Sequence, residues 1–147
     1  MVGIGLILLS SENSLLAIRE LRSKPEIHKK AGMLSFPLET FKEKDGNLRA
    51  TIGRLLEEEL GIPIEEVELW GIAPQFFTII PGRRDIRVYY GVGTYLGDPT
   101  REFRPKDDDV EVVGWMTPGG LLMERHIRVE VAPILLDFSI KKKEDYS

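Results

Sequence analysis

The chain has 147 residues, 42% of them hydrophobic and 30% charged, and a formal net charge of −4. Those proportions suit one domain over residues 1–147 with a packed core, and they offer no overall basic field for nucleic acid or a membrane surface. Cysteine is absent, which excludes disulfides, thiolate metal sites and a cysteine nucleophile.

The apolar opening "MVGIGLILLS" is too short for a membrane span and lacks a basic n-region or cleavage site, so a cytoplasmic protein is expected. "VGIGLILLS" and "SLLAIREL", separated by "SENS", predict a β-hairpin. Residues 23–33 form a basic, polar loop containing Pro25 and His28. "LSFP" is a short strand, and "LETFKEKDGN" reads as a charged loop turning near Asp45 and Gly46. Asn47 is a good N-cap for a helix over about 48–60, closed by Gly61 and kept from continuing by Pro63. "EEVELWGIAPQFFTII" supplies one or two strands, "PGRR" a turn, and "DIRVYYGVGTYLG" a long returning strand. After the polar loop "DPTREFRPKDDD" comes the strand "VEVVGWM". An amphipathic helix is expected over about 125–138, and the tail "KKKEDYS" is expected to fray. This order predicts an α+β sandwich, a mixed sheet flanked by helices.

Within the first helix, "RLLEEELGI" places three glutamates in succession. Each helical residue advances about 100°, so with Glu58 at zero the apolar residues Leu48, Ile52, Leu55, Leu56 and Leu60 form a stripe centred near about 120°. Glu57 points away from it, Glu58 lies at its edge, and Glu59 falls near its middle, at about 100°. A carboxylate pushed towards a core needs an arginine, hydrogen-bond donors or a metal ion. Arg54 stands one turn before Glu58 and suits an i,i+4 pair with it. Glu59 is left for another partner: a core arginine on one reading, a hard divalent cation shared with Glu58 on the other.

Elsewhere, Arg19 and Arg22 end the second strand, and Arg83, Arg84 and Arg87 cluster around "PGRR"; the guanidinium fork suits phosphate oxygens. Phe76, Phe77, Tyr89 and Tyr90 read either as core or as a platform for a base. The two histidines, His28 and His126, have no metal-ligand spacing.

"RLLEEELGI" resembles the second half of the Nudix signature, G-x5-E-x7-R-E-U-x-E-E-x-G-U, at Arg54, Leu56, Glu58, Glu59, Gly61 and Ile62. "SFPLE" resembles the family's "FPGG" before the box helix, and the flanking strands agree. The resemblance implies the α/β/α Nudix sandwich. It also implies hydrolysis of a nucleoside diphosphate linked to another group, with Mg²⁺ or Mn²⁺ and a water nucleophile. It makes Glu58 and Glu59 metal ligands, with Arg54 orienting Glu58, and Arg19, Arg22 and Arg87 candidates for substrate. The sequence departs from the box at Leu55, where a glutamate belongs, and ungapped spacing puts Thr40 and Gly46 at the first glycine and glutamate. A one-residue insertion instead offers Glu39 and Asp45, making Asp45 a candidate ligand. The family often places a further acid before a position like Trp115, which points to Asp107, Asp108, Asp109 and Glu111; Asp108 and Glu111 are the candidates for catalysis. The partner implied is a small nucleotide-type molecule, and a homodimer is one assembly the family admits. The competing reading is a catalytically silent Nudix domain that binds a nucleotide or a protein.

Overall fold

The computed structural model describes residues 1–147. Its strands are β1 (Val2–Leu9), β2 (Leu15–Glu20), β3 (Leu34–Ser35), β4 (Leu38–Thr40), β5 (Val67–Ile72), β6 (Phe77–Thr78), β7 (Arg87–Tyr95) and β8 (Val110–Met116). Its α-helices are α1 (Leu48–Leu55), α2 (Pro118–Leu122) and α3 (Val131–Ile140). The eight strands make one mixed sheet. β1 is central, parallel to β7 from Val2↔Arg87 to Leu9↔Thr94 and antiparallel to β4. A strand covered on both faces can be apolar throughout, which is why "VGIGLILL" needs no polar alternation.

Period-two geometry splits those side chains between two cores. Ile4, Leu6 and Leu8 join Leu16 and Ile18 against Ile52, Leu55, Leu56 and Leu60 of the first helix. Ile7 and Leu9 join Leu15 and Ala17 against Val131, Ile134 and Leu135 of α3. The result is the expected α+β sandwich, a mixed sheet between helices.

Five local expectations change. The predicted hairpin touches only at Leu9↔Leu15, because β1 is claimed by β4 and β7 while β2 is claimed by β3 and β8. The charged loop "LETFKEKDGN" begins with β4 and contains a 3-10 turn at Glu43–Asp45. The helix expected from 125 starts at Val131, since the segment before it is held extended on β3: Leu34 N–H donates to His126 O (2.7 Å) and Arg128 N–H to Leu34 O (3.0 Å). Thr117 caps the unexpected α2 by accepting from Gly120 N–H, with Pro118 in its first turn. The tail is not frayed. Tyr146 is 5% exposed, packed edge-on against Trp70 and Tyr90, and Ser147 exchanges backbone hydrogen bonds with Ile72. One buried aromatic ring is enough to hold a chain end that its charges suggest is loose.

The first helix keeps its predicted ends. Asn47 accepts from Ala50 N–H at 2.9 Å, and Gly61 closes it in the left-handed region at φ 70°. A Cβ at Gly61 would also overlap the Arg104 carbonyl, so two constraints ask for glycine there. The last turn, Leu56–Leu60, widens to a π-helix, a feature frequent at functional sites.

Candidate active site

A cleft of about 100 Å³ opens beside β4, the π-helical turn, the acidic loop before β8 and the basic loop after β2. Glu39, Glu59, Asp107 and Asp109 give it an acidic wall; Lys24, Lys29 and Arg128 line it as well. The π turn helps to build it. Lys106 and Asp107 N–H groups both donate to the Glu58 carbonyl at 2.9 Å, which fastens the acidic loop to the helix end.

The three glutamates divide as the helical angles predict. Glu57 is exposed, Glu58 keeps 40% of its side chain exposed, and Glu59 is 4% exposed. Glu59 Oε2 is buried without a hydrogen-bond partner, and no arginine reaches it. Burial above all, then the charges of Asp107, Glu39 and Glu20, push its carboxyl up to about 9, while Lys29 pulls the other way.

Arg54 organises a second group of acids. It grips Asp45 with a fork, Nε to Oδ1 at 3.1 Å and Nη2 to Oδ2 at 2.9 Å, and also donates to the Thr40 carbonyl. Nη1 lies 3.2 Å from Glu39 Oε1 and 3.5 Å from Glu58 Oε2. The pair expected with Glu58 is therefore the longest of its contacts, and Asp45 is its main partner. Asp45, expected as a metal ligand, instead accepts from donors within the protein. Both its oxygens are taken by Arg54, the Thr51 hydroxyl and the Lys42 N–H. Those donors, Arg54 first, hold it well below the usual carboxylate range, so it acts as a brace for the guanidinium.

Glu39 contacts Glu58 and shares Arg54 with it. Leu55, where the box has its third acid, is fully buried in the core on the α1 side of the sheet. Glu39 comes instead from β4, antiparallel to Ile4, and burial together with the adjoining Glu58 carboxyl pushes it up to about 7. No helical period could have found it, because the chain reaches it from a different element. The one-residue insertion considered for the sequence set Glu39 at the box glycine and offered Asp45 in place of the missing acid.

The other predicted residues are placed away from Glu59. Asp108 is an exposed partner of Arg22 at 3.2 Å, and Arg22 also meets Asp109 at 2.9 Å. Glu111 pairs with Arg19 across β8 and β2 at 2.6 Å, and neither residue lines the cleft. Arg87 lies over the Phe76 ring at 5.2 Å and is outside the cleft lining too. The alternation of a strand explains Glu111: Val110 turns inward and its neighbour outward. Asp107, two residues upstream of Asp109 and accepting its N–H, is the acid of this loop that acts on Glu59.

Glu39, Glu58, Glu59 and Asp107 offer only oxygen donors, which is the ligand chemistry of hard divalent cations. The acids whose ligand oxygens lie within 4.8 Å of one another are Asp107, Asp108 and Asp109, while Glu39 adjoins Glu58 and Glu59 Oε2 is buried without a partner.

The sequence pattern of the NUDIX domain matches residues 1–137. No curated protein sequence matches the chain at a significant level. Among solved structures, the MutT protein of Methanosarcina mazei Go1 aligns with a TM-score of 0.63 at 14% identity, covering 96% of each chain. A C. elegans Ap4A hydrolase binary complex aligns at 0.62 and 12% identity, over 93% of this chain and 95% of that one. The NUDIX domain of Shewanella oneidensis NrtR, complexed with ADP ribose, aligns at 0.57 and 17% identity, over 92% and 88%. At these identities the likeness is one of fold.

Proposed function

Because this chain belongs to the Nudix hydrolase family, we propose that it is a divalent-metal-dependent hydrolase of a nucleoside diphosphate linked to another group. The observation that carries the reading is Glu59: a buried carboxylate with an unpartnered oxygen, aimed into an acid-lined cleft. Mg²⁺ or Mn²⁺ is the ion its chemistry calls for, with Glu59, Glu58, Glu39 and Asp107 as the holding residues. Such an ion, when bound, supplies charge neutralisation at the phosphoanhydride and acidifies a water.

The chain's own groups do the rest. Arg54, braced by Asp45, fixes the Glu39 and Glu58 carboxylates at the cleft edge. The cleft is small beside the roughly 300–1,000 Å³ of sites that enclose a whole drug-sized ligand. It takes the phosphate end of a substrate and leaves the remainder outside.

The test is release of phosphate or nucleotide from a panel of nucleoside diphosphate compounds with Mg²⁺, Mn²⁺ or chelator. ADP-ribose and Ap4A, named for two structural neighbours, head the panel. Chelator-sensitive release from at least one compound is the expected result. Binding without release would favour the silent-domain reading, for which the fully buried Leu55 is the supporting observation.

A further inference from the structure

Resting on that reading, we propose that the basic loop at residues 23–33 is the phosphate clamp of the cleft: Lys29, helped by Lys24, holds the substrate phosphate oxygens that the acidic wall leaves free. Lys29 is 7% exposed, and lysine is almost never buried without a purpose for its charge. Its ammonium lies 3.2 Å from Glu20 Oε2, a buried ion pair that fixes it at the cleft. An ammonium has three donors, and one ion pair leaves others for a ligand. Glu20 has a second cation. Arg128 Nη1 donates to Glu20 Oε1 at 2.9 Å while its Nε sits 2.6 Å from Glu130.

The loop is shaped to present these charges. Lys24 and Lys29 clasp each other through paired backbone hydrogen bonds, 2.8 and 3.1 Å, and His28 closes the turn in the left-handed region at φ 57°. Both lysines line the cleft as a result. Lys24 is exposed and has no ion pair, so its charge is uncommitted. A slot walled by Glu39, Glu59 and Asp107 repels a bare phosphate; a fixed ammonium facing that wall offsets the repulsion, and a pre-closed loop does so with little further ordering.

The probe is α,β-methylene-ADP, a nucleoside diphosphate whose phosphorus–carbon bridge resists cleavage, titrated calorimetrically with Mn²⁺ present. Mn²⁺ alone is followed by electron paramagnetic resonance. Lys29→Met should weaken the analogue about tenfold or more, Lys29→Arg should restore most of the affinity, and Lys24→Gln should cost about threefold. None of the three should weaken Mn²⁺ binding measured alone. A folded Lys29→Met protein with wild-type analogue affinity overturns the clamp, as does a parallel loss of Mn²⁺ binding, which would make Lys29 a support of the acidic wall. Should Lys29→Met not fold, Lys24→Gln at wild-type affinity overturns it equally. Wild-type protein that binds Mn²⁺ without the analogue sinks the clamp and spares the metal site; protein that binds neither sinks both.

Discussion

Glu20, Glu130 and Glu59 are all buried, at 2%, 0% and 4% exposure, but they live in different company. Glu20 has Arg128 at 2.9 Å and Lys29 at 3.2 Å, and Glu130 has Arg128 at 2.6 Å. Glu59, on the other side of the same cleft, is in no ion pair, although oxygens of Glu20 and Glu130 share with its Oε2 the lack of a hydrogen bond. Where a buried carboxylate serves the fold, the chain brings the cation itself, because an uncompensated interior charge costs several kcal/mol. On the proposed reading, the cation Glu59 lacks is the one a bound metal ion would supply.

The sharpest way to break that contrast is to neutralise Glu59. Glu59→Gln should lower chelator-sensitive hydrolysis by more than about a hundredfold, since even residues that only support metal ligands cost about 10–100-fold. The melting temperature without metal should hold or rise, and its increase on adding Mn²⁺ should vanish. A large fall in melting temperature with activity retained would put Glu59 in the same class as Glu20.

The opposite behaviour is expected on the paired side. Arg128→Met strands Glu20 and Glu130 together and should cost about 3–5 kcal/mol in denaturant unfolding. Adding Mn²⁺ should not recover that loss selectively. Recovery would mean that the two glutamates are part of the metal-binding wall.

Proton linkage separates the regions more gently. The carboxyls of Glu59 and Glu39 are raised from 4.5 to about 9 and about 7 in the folded chain. The folded state therefore binds more protons than the unfolded one between 4.5 and those values, and metal-free stability should fall as pH rises through that window. The slope is at most about 1.4 kcal/mol per pH unit for each group. Saturating Mn²⁺ should flatten it, because an ion favours the ionised carboxylates. Asp45 works in reverse: its affinity for a proton is lowered by Arg54, so its contribution is present above 3.8 and lost as pH falls further. Unfolding curves from pH 5 to 9, with and without Mn²⁺, measure the first effect directly.

The smallest expected effect is the control. Glu57→Gln, on the exposed face one residue before Glu58, should change stability by less than about 0.5 kcal/mol and leave hydrolysis unaltered. A loss of activity there would mean that the helix is turned differently about its axis.

The inward turn of Glu59, the exposure of Glu57, the Asn47 cap and the Gly61 stop were legible before any coordinates, because each follows from bonds and angles within one short segment. Tertiary structure decided what those residues meet. It carried Glu39 in from β4 to Glu58, paired Asp45 with Arg54, lined the cleft with Asp107 rather than Asp108 or Glu111, and folded Tyr146 into the core. Each of those outcomes pairs residues from separate elements, and a local period carries no information about which distant segment arrives. The direction of a side chain is set by its own backbone, whereas its partner is set by the packing of the whole sheet.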